Sequence, residues 1–90
     1  MNGSNKSIVI SNHAAHRMQA RGATVGEVEQ AIRAGNWQPA QRGKWKASAH
    51  FAFNGVSPVN GQFYNNKRVE VVFADEANAI VVTVKVFYFN

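Results

Sequence analysis

The sequence predicts an α+β domain in which an N-terminal helix pair packs on a three- to four-stranded antiparallel sheet. Two observations carry the prediction. Helix caps and helix-period apolar residues are confined to residues 11–35, and from residue 44 onward apolar side chains recur with a period of two. Turn-forming residues divide that second part into runs that follow one another directly, as consecutive strands do.

Each element has its own signal. Residues 1–7 (MNGSNKS) are polar and read as a frayed, disordered tail, so the single domain runs over 8–90. Ser7 to Ser11 reads as a short extended segment at a sheet edge. Ser11 or Asn12 is suited to N-cap the first helix, His13 to Arg21, and Gly22 closes it. Thr24-Val25-Gly26-Glu27 is a capping box, in which the Thr24 hydroxyl takes the Glu27 N–H and the Glu27 carboxylate takes the Thr24 N–H. Val25, Val28, Ala31 and Ile32 then share one helical face, and Gly35 ends the helix.

Residues 36–43 read as a loop, since Pro39 forbids a continuing helix. In the first alternating run Trp45, Ala47, Ala49, Phe51 and Phe53 face one way, and Lys44, Lys46, Ser48, His50 and Ala52 the other. Asn54-Gly55 signals a turn, and 54–66 reads as a long connection, longer than most hairpin loops. In the run Lys67 to Ala74, Val69, Val71 and Phe73 oppose Arg68, Glu70 and Val72. Asp75 to Asn78 is a tight turn. In the last run, Ile80, Val82, Val84, Val86 and Tyr88 are expected on one face and Thr83, Lys85 and Phe87 on the other. Helices covering the apolar face leave a polar face of Lys44, Lys46, Ser48, His50, Arg68, Glu70, Thr83 and Lys85.

The 90 residues make one small domain, with limited burial and modest stability. Ten Lys and Arg against five Asp and Glu give a net charge of +5, which favours an anionic partner: nucleic acid, an acidic protein or a membrane surface. Without cysteine the chain has neither a disulfide framework nor a thiolate zinc site, which fits a reducing cytosol. No apolar run follows a basic start and none reaches membrane-spanning length, so a cytoplasmic protein without a membrane partner is expected. Walker, Rossmann, nucleophile-elbow and zincin motifs are missing, and no cofactor is implied. His13-x-x-His16 with His50 lacks a nearby carboxylate and makes a poor metal site, so no metal is expected.

The run Ser11-Asn12-His13-Ala14-Ala15-His16-Arg17-Met18-Gln19-Ala20-Arg21-Gly22 resembles the opening of the bacterial family known as domain of unknown function 4258. Glu27-Val28-Glu29-Gln30-Ala31-Ile32-Arg33-Ala34-Gly35 matches that family's second helix, and Val81-Val82-Thr83-Val84 after Asp75-Glu76 its final strand. The middle segment, with 54–66, departs from the family pattern. The family resembles the RelE, barnase and EndoU ribonuclease and toxin folds. That kinship implies a RelE-like sheet that binds RNA and cleaves it without a metal.

Such cleavage needs a base for the 2′-hydroxyl, cations for the phosphorane and an acid for the leaving oxygen. Glu70 or His50 is a candidate base, and His13 or His50 a candidate acid, histidine titrating near neutral pH. Lys85 completes the catalytic candidates. Arg17, Lys44, Lys46, Arg68 and Thr83 are the nucleic-acid-binding candidates. Arg21 reads as structural, pairing with Glu27 across the turn. Trp45 reads as core, and Phe63 and Tyr64 either stack bases or pack the 54–66 segment down. Two functions follow: a metal-independent ribonuclease, as the toxin of a toxin–antitoxin pair, or a non-catalytic basic module that grips RNA or an acidic partner such as an antitoxin. An apolar last strand at a sheet edge would allow a weak homodimer beside the monomer.

Overall fold

A computed structural model describes residues 6–34 and 36–90. The chain runs β1 (Ile8–Ile10), α1 (Asn12–Arg21), α2 (Val25–Arg33), β2 (Gln38–Pro39), β3 (Trp45–Val56), β4 (Phe63–Asp75) and β5 (Ala79–Phe89), with a 3₁₀ turn at Gln41–Gly43 before β3. The fold is α+β, as expected. The sheet, however, has five strands in the order β1-β5-β4-β3-β2, and it is mixed, because β1 lies parallel to β5. The three long strands are the antiparallel meander read from the alternation. The extra strands are the shortest ones. Two residues of the expected loop 36–43, Gln38 and Pro39, pair with Lys46 and Trp45 at the β3 edge, where proline's missing N–H costs no ladder bond.

The helices form as their caps dictate. The Ser11 hydroxyl accepts from the Ala14 N–H, and Gly22 at φ 86° ends α1 in the left-handed region. Both halves of the Thr24–Glu27 capping box are made, at 3.1 and 3.0 Å. Ala14 and Met18 of α1, with Val28, Ala31 and Ile32 of α2, bury against Ala47, Val69, Val71, Phe73, Ala79, Val81 and Val84. Trp37 closes one end of this core. Its ring meets Phe73 edge-on at 4.7 Å, and its indole N–H donates to the Ile32 carbonyl at 2.8 Å. Gly35, expected to end α2, and residues 1–5 of the expected tail lie outside the described residues. The next two residues are tied to the turn before β5: Lys6 pairs with Asp75, and the Ser7 carbonyl accepts from the Ala79 N–H at 2.9 Å.

Two irregularities correct the simple alternation. On β5, Thr83 faces Val72 while Val81 faces Phe73, so Val82 is an extra residue. The core face of β5 is therefore Ala79, Val81, Val84, Val86 and Tyr88 rather than the unbroken series from Ile80 through Val82. On β3, two residues between Ala52 and Gly55 oppose one on β4, and Asn54 takes φ 49°. The Asn-Gly signal is thus used for a bulge, not a turn. The long connection expected over 54–66 contracts to 57–62, held by Ser57 N–H to Gln62 carbonyl and Gly61 N–H to Ser57 carbonyl bonds at 2.8 and 2.9 Å. Phe63 and Tyr64, expected in that loop, open β4 instead.

Candidate nucleic-acid interface

With both helices on one side, the other side of the β3-β4-β5 meander is open. Register arranges its side chains in rows across the three strands: Lys46, Val72 and Thr83; then Ser48, Glu70 and Lys85; then His50, Arg68 and Phe87; then Ala52, Asn66 and Phe89. Directly opposed side chains in such a ladder have Cβ atoms about 5 Å apart. Glu70 therefore has Ser48 on one flank and Lys85 on the other. Along its own strand the Arg68 guanidinium stands 3.5 Å from its carboxylate. Glu70 is the only carboxylate on this face among the described residues, and three cations, Lys46, Arg68 and Lys85, surround it.

Two adjoining depressions, of about 460 and 420 Å³, share Lys46 and Glu70. The first also takes in Lys85, and the second Ser48 and Arg68. Next to them the Arg68 guanidinium lies over the Phe87 ring, 4.5 Å from its centre, and the His50 ring meets Phe89 edge-on at 4.9 Å. Of the nine candidates from sequence, the sheet brings together Glu70, Lys85, His50, Lys46, Arg68 and Thr83. Lys44 lies between the 3₁₀ turn and β3, where its carbonyl accepts from the Ala40 N–H at 2.8 Å.

His13 and Arg17 lie elsewhere. Both are exposed on α1, on the helix side of the sheet, with Arg17 Nε donating to His13 Nε2 at 3.4 Å. No group of three His, Asp or Glu that would suit a metal comes together among the described residues.

The family model described as Domain of unknown function (DUF4258) matches residues 10–87. The chain belongs to that family. No curated protein and no solved structure matches it.

In this DUF4258 chain the run Ser11 to Gly22 is largely accounted for by docking of α1. Ser11 caps, Ala14 and Met18 are core, and Arg21 donates Nη1 to the Val84 carbonyl at 2.8 Å rather than pairing with Glu27. A Cβ on Gly22 would overlap the Tyr88 hydroxyl and Pro58. The partner of Glu27 is Lys67, which sequence reasoning missed. Lys67 is 4% exposed; its Nζ meets Glu27 Oε1 at 2.8 Å and the Gly22 carbonyl at 2.7 Å, beneath the Phe53 ring. Beside it the Tyr88 hydroxyl donates to the Arg21 carbonyl at 2.5 Å. Burial, and then the charge of Glu27, push the Tyr88 phenol up from its usual 10.0. A lysine within the core-facing series Lys67, Val69, Val71 and Phe73 was the available signal, because a buried ammonium needs a counter-charge. Sequence reasoning also passed over Phe87 and Phe89 as functional residues, although alternation already set Phe87 beside Lys85.

Proposed function

We propose that the open sheet face binds RNA and cleaves it without a metal. The carrying observation is Glu70: one carboxylate, with Ser48 and Lys85 opposed to it in register and Arg68 and Lys46 within its depressions. In this reading Glu70 takes the proton of the 2′-hydroxyl. The oxygen attacks phosphorus, the bond to the 5′-oxygen breaks, and a 2′,3′-cyclic phosphate forms. Lys85, Lys46 and Arg68 offset the phosphorane charge, and His50, one row away, returns a proton to the leaving oxygen. His13 and Arg17, on the helix side, take no part in this step.

The net charge of +5 supports an anionic substrate, and the RelE-like kinship that the sequence resemblance implies is part of this proposal. We extend the proposal to a toxin that acts in the cytosol and is held in check by an acidic antitoxin. No helix among the described residues is long and apolar enough to cross a membrane.

A second reading, a non-catalytic basic module, draws on the Arg68–Glu70 pair. There the Arg68 guanidinium, 3.5 Å from the Glu70 carboxylate, makes that carboxylate the partner of a neighbouring cation rather than a base for a substrate hydroxyl. One assay separates the two. Total RNA is incubated in EDTA with wild type, Glu70→Gln and Lys85→Ala. Cyclic-phosphate ends made by the wild type and reduced about a hundredfold or more in Glu70→Gln are the expected result. Intact RNA, retained on the protein with an affinity that falls steeply with salt, moves the assignment to the binding module.

A further inference from the structure

We propose that Phe87 and Phe89 form a base-stacking platform, so that the ligand of the open face is a single-stranded segment with two neighbouring bases unstacked. The inference rests on the reading of that face as an RNA surface and narrows its substrate class.

Phe87 and Phe89 remain 42% and 37% exposed, even with Arg68 over one ring and His50 edge-on to the other. They follow Lys85 at alternate positions of β5, so they lead away from Glu70 row by row. Two residues of a strand advance about 6.8 Å, roughly twice the rise between stacked bases in a duplex. Bases seated on both rings must therefore be splayed apart, which a duplex forbids and an extended single strand allows. Each ring is joined to a side chain able to carry positive charge, Phe87 to Arg68 and Phe89 to His50. A base can lie on the ring or on the guanidinium above it, while the same cations meet the flanking phosphates. Apolar rings alternating with cations suit a polyanion that carries flat, uncharged bases. A purely apolar partner would leave the face's excess of positive charge, three cations around the single carboxylate Glu70, without counter-charge.

The test uses a short single-stranded 2′-O-methyl oligouridine, whose blocked hydroxyl prevents cleavage, and measures binding by fluorescence anisotropy. Wild type is expected to bind it at least about tenfold more tightly than the same strand in a duplex or an oligomer lacking bases. Phe87→Leu/Phe89→Leu, which keeps apolar bulk, is expected to lose about tenfold or more with the slope against salt unchanged, because no phosphate contact is removed. Phe87→Tyr/Phe89→Tyr should retain binding. Unaltered emission from the core residues Trp37 and Trp45 checks that each variant is folded. Equal binding by wild type and the leucine variant, or equal binding of based and baseless strands, overturns the stacking platform and leaves the basic RNA surface standing. No binding of any oligomer by wild type at low salt overturns both.

Discussion

Single residues tie the layers of this molecule together more than the pattern of apolar positions suggests. Lys67, Glu27, Tyr88 and the carbonyls of Arg21 and Gly22 form one polar knot where α1 ends against the sheet. Each group in it is partnered, so removing one member strands another: Glu27→Gln or Lys67→Met leaves a largely buried charge unpaired, a change that costs about 3–5 kcal/mol in comparable pairs. Tyr88 gives the knot a pH signature. Its folded pKa lies above the unfolded value of 10.0, so its contribution to stability is complete below pH 10 and is lost as pH rises through the folded value. Tyr88→Phe should cost about 1 kcal/mol at neutral pH through loss of the bond to Arg21. Chemical denaturation of wild type and variant across alkaline pH should show the gap narrowing above pH 10, and a constant gap would refute the assignment.

At the scale of elements, the legible parts of the fold were those with strong local signals. Both caps, Val28, Ala31 and Ile32 on the buried face of α2 and the outward face of β3 and β4 follow directly from spacing, and with them Glu70, Lys46, His50, Arg68 and Lys85 on one surface; Val25, expected with the α2 face, is instead 52% exposed in the helix's first turn. What escaped were features set by pairing. The parallel partnership of Ile8–Ile10 with β5 depends on residues some seventy positions away, and no local pattern encodes it. The Val82 bulge is equally silent, because Val82 itself fits either face of an apolar strand. This bulge makes an uncommon prediction about deletion. Removing Val82 joins Val81 and Thr83 into a regular alternation that keeps Val81 on Phe73 and Thr83 on Val72. The shortened chain should fold, with Trp37 and Trp45 emission unchanged. Removing Val71 from the middle of β4 instead turns half of that strand inside out, and should abolish cooperative thermal unfolding.

Over the whole molecule, the sheet has two long unfinished margins among the described residues: the outer side of β3 beyond Lys46, since β2 covers only Trp45 and Lys46, and the outer side of the last strand. β1 covers β5 only from Ala79 to Val81, and no strand pairs with its outer side from Val82 to Phe89 among the described residues. The expectation that the last strand could pair with its own copy belongs to this stretch. Arg21 reaches across it and occupies the Val84 carbonyl, placing a charged side chain where a second strand would lie. Arg21→Ala should therefore increase self-association, read as a rise in mass with concentration in light scattering. A mass identical to that of wild type across the range would show that the margin is protected by other means.

Arg21 and Val84 stand 63 residues apart, and Tyr88 reaches back 67 residues to the carbonyl of Arg21. The guard on the margin is thus among the most non-local contacts in the chain, and closing so long a loop is slow compared with pairing neighbouring strands. A chain whose β3-β4-β5 meander pairs before α1 docks would leave its apolar last strand undefended for that interval. Yield on refolding should be limited by how fast α1 docks rather than by how stable the finished domain is.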